Sequence, residues 1–154
     1  MPTAAVVTQA NGPATKGTYL EGGLRVPAII SYPKEQPQNV TSDHIIIAAD
    51  WFPTILDLCQ SPKPEGLVLD GQSIVELIKD ADIPSPHKVL HWAWQRGWAV
   101  REGARKLIGH GDQALQLFNL TDSKPEQLNH LSTEIKVAAK LYNMHRDWIT
   151  EVTS

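Results

Sequence analysis

Beyond Pro86 the apolar residues recur with a period of two, and this constrains the fold more than any other feature of the chain. Val89-Leu90-His91-Trp92-Ala93-Trp94 is followed by Trp98-Ala99-Val100, then Lys106-Leu107-Ile108, then Leu115-Gln116-Leu117-Phe118. The joints Gln95-Arg96-Gly97, Glu102-Gly103 and Gly109-His110-Gly111-Asp112 all contain glycine, which suits short hairpin turns. The pattern predicts a four-stranded antiparallel meander. A helix follows, capped by Ser132, with Ile135, Ala138, Leu141, Tyr142, His145, Trp148, Ile149 and Val152 as its apolar stripe at three- and four-residue spacing. One helix on a small antiparallel sheet is an α+β layer. Trp92 and Trp94 share a strand face and are expected in the core against that helix and Trp148; a sugar-stacking platform is the alternative use of such rings.

The strongest break is Ile83-Pro84-Ser85-Pro86, which divides the chain into residues 1–82 and 83–154. Ahead of it, Val26-Pro27-Ala28-Ile29-Ile30-Ser31-Tyr32 reads as a strand, with Pro27 at its start or on an edge. Asp50 is placed as the cap of a helix that has Pro53 in its first turn and Phe52, Ile55, Leu56 and Cys59 on one face. A second short helix is expected from Ser73, with Glu76 completing a capping box and Ile74, Leu77 and Ile78 as its apolar residues.

Composition removes several classes of function. Fourteen Lys and Arg against seventeen Asp and Glu leave a formal charge of -3 and no basic stripe, so nucleic acid is not an expected partner. The longest apolar stretch, Ile45-Ile46-Ile47-Ala48-Ala49, is far short of the roughly 20 residues a membrane helix needs, so no membrane partner is expected. The first residues, Met1-Pro2-Thr3-Ala4-Ala5-Val6-Val7, have no basic n-region and give no targeting signal. With Cys59 as the sole cysteine, neither an internal disulfide nor a multi-thiolate zinc site can form. His87 and His91 precede or lie in the first strand of the meander, where they would stand about 13 Å apart at ~3.3 Å per residue, too far to share an ion.

Lys16-Gly17-Thr18-Tyr19-Leu20-Glu21-Gly22-Gly23-Leu24-Arg25-Val26-Pro27 closely resembles the Lys-Gly-Thr-x-x-Glu-Gly-Gly-x-Arg-Val-Pro segment of the sulfatases, within the alkaline-phosphatase-like superfamily. Further matches follow in that family's order: Ile30-Ser31-Tyr32-Pro33; Asp50-Trp51-Phe52-Pro53-Thr54-Ile55-Leu56-Asp57-Leu58; and Leu69-Asp70-Gly71-Gln72-Ser73. Arg105-Lys106-Leu107, Leu117-Phe118-Asn119-Leu120 and Glu126-Gln127-Leu128-Asn129 are similar to its C-terminal strand and turn segments. The resemblance implies an α/β to α+β chain. Residues 1–82 would be the C-terminal flank of an alkaline-phosphatase-like α/β domain, and 83–154 the small four-stranded sheet packed on its C-terminal helix.

The same resemblance implies a fragment. The family's nucleophile is a formylglycine made from a Cys or Ser in a Cys-x-Pro-Ser-Arg or Ser-x-Pro-x-Arg segment, and Cys59-Gln60-Ser61-Pro62 does not match it. Calcium and formylglycine are expected in the full-length family member, with none bound by this segment alone. Asn11-Gly12-Pro13 has Ala10 where a calcium-binding aspartate would stand, so no metal ligand is assigned. Lys16 is carried over as the catalytic residue that contacts sulfate, and His110 is a candidate substrate-binding residue; Glu21 and Arg25 are expected to shape the loop. The expected partners are a sulfate ester substrate in the complete enzyme and the missing N-terminal part of the fold. Without that part, an exposed apolar surface would favour self-association. Two other readings stay open: a fragment of a related phosphonate or phosphodiester hydrolase, and a noncatalytic sulfatase-derived interaction module.

Overall fold

The computed structural model describes residues 16–31 and 40–154. In chain order its elements are helix α1 (Glu21–Leu24), a 3-10 turn at Ala48–Asp50, helices α2 (Trp51–Leu58) and α3 (Val75–Lys79), strands β1 (Val89–Trp94), β2 (Gly97–Glu102), β3 (Arg105–His110) and β4 (Gln113–Asn119), and helix α4 (Ile135–Thr153). They fall into two compact units, residues 26–31 with 40–87, and residues 16–25 with 88–154. The line drawn from sequence lay after Asp82 and gave the lysine segment to the first unit. In the structure Ser85 and His87 are hydrogen-bonded to Ile45 and Asp50, which moves the division past the prolines. Residues 16–25 belong with the sheet.

In the second unit the meander forms as its alternation predicts, in the order β1-β2-β3-β4 with every pair antiparallel. Because side chains alternate across a sheet, the register fixes two faces. Trp98, Val100, Leu107 and Leu117 turn to one face and pack against Ala138 and Leu141 of α4. Ala99, Ile108 and Phe118 turn to the other, where Trp92, Tyr19 and Leu20 cover them. Trp92 is paired with Ala99, so Trp92 and Trp94 lie on the face away from α4, contrary to the expectation that they pack on it. Trp98 takes that place, its ring stacked on His145 with centroids 4.3 Å apart.

The helix α4 starts at Ile135 rather than behind Ser132 and has no side-chain cap. Its buried stripe is Ala138, Leu141 and His145, while Ile135 and Val152 at its two ends are exposed.

The first unit departs further from expectation. Residues 26–31 adopt no regular secondary structure. Strand propensity is realised only against a neighbouring strand, and the one sheet among the described residues spans 89–119. Tyr32 and Pro33 lie outside the described residues. In α2 the predicted apolar face is the outer one, with Phe52 48% and Ile55 54% exposed and Pro53 and Thr54 buried instead. Polar contacts decide this orientation: the Thr54 hydroxyl donates to the Asp50 carbonyl and accepts the N–H of Ile74. Helix α3 begins at Val75 with no capping box, because Glu76 reaches Lys79 rather than back along the chain.

The fold separates core from surface along α4. Leu141→Ala, at a fully buried position, is expected to cost about 2–5 kcal/mol, and Val152→Ala less than about 0.5 kcal/mol. Urea denaturation of the two variants checks this; equal midpoints would show that α4 is not docked on the sheet.

Candidate functional site

The segment from Lys16 to Leu24 lies on the sheet face opposite α4 and forms one wall of an open groove of about 460 Å³. Gly17, Thr18, Tyr19, Gly23 and Leu24 line this wall; Trp92, Ala93 and Trp94 of the edge strand β1, with His91 and Trp148, line the other. Lys16 is exposed in the turn that leads into the groove, and Gly17 beside it has φ +92, a backbone conformation glycine adopts without strain. Gly23 is required for a different reason, since a Cβ there would collide with the Thr18 carbonyl. The Tyr19 hydroxyl crosses to the sheet, 2.7 Å from the Gly97 carbonyl and 3.3 Å from that of Trp94.

Beneath this loop is a cluster of buried charges. Lys106 lies in β3 on the face of Ile108 and Phe118 and has no solvent exposure. Its Nζ donates to Glu21 Oε1 and to Glu126 Oε1, each at 2.8 Å. Both oxygens of Glu126 also accept the backbone N–H of Glu21, at 3.0 and 2.8 Å, which satisfies a donor at the start of α1. Arg101 Nη1 reaches Glu21 Oε2 at 3.3 Å. Burial pulls the Arg101 guanidinium below its usual pKa, with Glu21 acting in the opposite direction. The two carboxylates thus face Lys106 and Arg101, with the Arg25 charge also acting on Arg101, and a buried ammonium needs such opposite charge.

Glu126 has a left-handed backbone (φ +62), a conformation non-glycine residues hold only when their surroundings impose it. Three residues on, the Asn129 side chain accepts the N–H of Leu117 and donates to the carbonyl of Leu115, fastening the turn to edge strand β4.

The other unit has its own buried acid. Asp50 accepts the N–H groups of Ile47 and Gln72, each at 2.8 Å, and His87 Nε2 at 2.7–2.8 Å. It stands at the N-cap position of α2, as expected from sequence, but its side chain makes no capping bond there and instead joins three segments.

Against this geometry, the family described as N-sulphoglucosamine sulphohydrolase, C-terminal, matches residues 15–151. The chain belongs to that family. A sulfatase of Formosa agariphila is 26% identical over 157 residues, which cover 87% of this chain and 28% of its own length. Human arylsulfatase G is 39% identical over 83 residues, 54% of this chain and 16% of its own. The crystal structure of Ps i-CgsB in complex with k-i-k-neocarrahexaose matches with a TM-score of 0.75 at 25% identity, over 88% of this chain and 31% of that one. This is a sulfatase C-terminal region, as its motifs implied, and it spans less than a third of the length of each of these relatives.

The sulfatase motifs meet in space. Glu21 from the lysine motif, Lys106 from the strand motif and Glu126 from the last motif form the ionic cluster. Lys16 leads into the groove, whereas His110 is exposed at the end of β3, paired with Gln113 and Gly97, and is not among the groove-lining residues. Glu21 turns to Lys106 and Arg101, and the Arg25 N–H donates to the Glu21 carbonyl. Asn11 lies outside the described residues.

The described residues do not fit a calcium site. No group of three or more His, Cys, Asp or Glu among them could hold a metal ion, and Glu21, Glu126 and Asp50 are committed to cations, N–H groups and an imidazole. Cys59 is an exposed free thiol just after α2.

A pair of imidazoles lies on the α4 face. His91 stacks on Trp148 with centroids 4.8 Å apart and lies 6.1 Å from His145, and the Nδ1 atom of each histidine is buried without a hydrogen-bond partner. Burial first, and the neighbouring His145 second, push His91 from 6.5 down to about 4; burial lowers His145 as well.

Two predictions follow from these buried groups. A depressed histidine is neutral when folded, so the unfolded chain takes up the proton first. Stability should therefore be full above about pH 6.5 and fall as the pH drops towards 4, and His91→Phe, which keeps a flat ring over Trp148, should flatten that slope. Urea midpoints measured across this window test it, and a slope unchanged by the substitution would contradict it. Lys106→Met leaves two buried carboxylates short of a cation and is expected to cost about 3–5 kcal/mol in the same assay.

Proposed function

We propose that this chain is the C-terminal fragment of a sulfuric ester hydrolase and that Lys16 is its contribution to the chemistry. The observation that carries the reading is the placement of Lys16 in the turn entering the groove, on a loop secured by Glu21, Lys106 and Glu126. An ammonium on a flexible stem suits a tetrahedral anion as a point charge, and offsets the negative charge that develops on the departing alkoxide when the S–O bond breaks. The groove beginning at Gly17 gives the alcohol portion an apolar wall, where Trp94 is 68% exposed. Nucleophile and metal would come from the rest of the complete enzyme, and the chain by itself would be inactive.

In the complete enzyme, Lys16→Met is expected to lower kcat for an aryl sulfate by about 10²–10³-fold, the usual effect of removing one donor to a developing oxyanion. Unchanged turnover would remove Lys16 from the chemistry. Appreciable aryl sulfate hydrolysis by the purified 154-residue chain would contradict the fragment reading, and a preference of the complete enzyme for phosphonate esters would move the assignment to a related hydrolase.

A further inference from the structure

We propose that Lys106 is a positioning residue: by drawing Glu21 and Glu126 together beneath the loop, it fixes where Lys16 is presented. The inference rests on the reading of Lys16 given above. Lys16 is itself exposed, in a turn whose next residue has φ +92, so the reach of its ammonium depends on where that turn is fastened. Helix α1 has only four residues and cannot hold itself together, since so short a helix is far below the length that is stable in isolation. Its fastening comes from elsewhere: the Glu21 N–H on Glu126, the Glu21 carboxylate on Lys106 and Arg101, and the Tyr19 hydroxyl on the β1–β2 turn.

Of these, the Lys106 contact has the greatest consequence. If the loop lifts, a fully buried ammonium loses one of its two carboxylates, and an uncompensated buried charge is costly. The apolar contact of Leu20 with the sheet would favour docking in any orientation, because burial of apolar surface has no direction. Charged hydrogen bonds at 2.8 Å do have direction, and they determine the position of α1 relative to the strands.

The test uses Glu126→Gln, which keeps the shape of the side chain and an oxygen for the Glu21 N–H while removing the negative charge that faces the Lys106 ammonium, with Lys106→Met as the more severe companion. In the 154-residue chain, hydrogen exchange in residues 17–24 should rise on the order of tenfold while the strand amides stay protected. In the complete enzyme, Glu126→Gln should lower kcat about tenfold with KM changed less than about threefold, and should lower it no further when Lys16→Met is already present. That non-additivity separates positioning from general stability, since a purely structural role would reduce activity in both backgrounds. Unchanged exchange in 17–24, or equal losses with and without Lys16, overturns the inference while leaving Lys16 in place. Full activity of Lys16→Met overturns the proposed function and this inference with it.

Discussion

A lysine ammonium with no solvent exposure needs carboxylates around it, and in this chain they come from both sides of it in the sequence. Lys106 is in the third strand; Glu21 and Glu126 are 85 residues before it and 20 after it. Desolvating an ion costs several kcal/mol, so such a cluster is weak evidence for stability and better understood as a device for specificity. Here it specifies the seating of one loop. Apolar packing supplies the bulk of the sheet's attraction for α4 and for Leu20, and the charges select one arrangement among many that would bury similar area.

The two units share this way of holding irregular chain. In one, Glu21 and Glu126 with Lys106 and Arg101 hold the segment after Lys16; in the other, Asp50 gathers N–H groups from Ile47 and Gln72 and the imidazole of His87. Loops have no ladder of backbone hydrogen bonds to share, so their polar groups must find side chains. A buried carboxylate accepts several at once. This explains why Glu21, Asp50 and Glu126 of the sulfatase-like motifs are buried, while Asp57 and Asp70, which gather no such set of partners, are exposed.

Legibility followed periodicity. The meander was open to sequence reasoning because the apolar residues of Val89–Phe118 recur with a period of two and its joints carry glycine, and the family was recognisable from the lysine motif; the register shift at Ile108/Gly109 left no such signal. What failed were inferences from local propensity. The Val26–Ser31 stretch has strand-forming residues but no strand to join among the described residues, and the apolar residues Phe52 and Ile55 face outward because α2 buries Pro53 and the polar Thr54. Trp92 and Trp94 went to the wrong face because alternation gives parity without saying which side the helix will cover. The ionic cluster left one trace, a lysine at Lys106 on an inward strand position beside Ile108, but its partners are too distant in sequence for spacing to reveal them.

The separation of Glu21 from Lys106 also bears on the order in which the chain assembles. Hairpins between successive strands close short loops and can form early, whereas the contact across 85 residues closes a long one and brings its reward only after β3 exists to present the lysine. The Lys16 segment therefore docks onto a finished sheet late in folding. Until it does, the face bearing Ala99, Ile108 and Phe118 is open and Lys106 is still hydrated, so the last step of assembly both dries that face and sets the lysine-bearing turn in place.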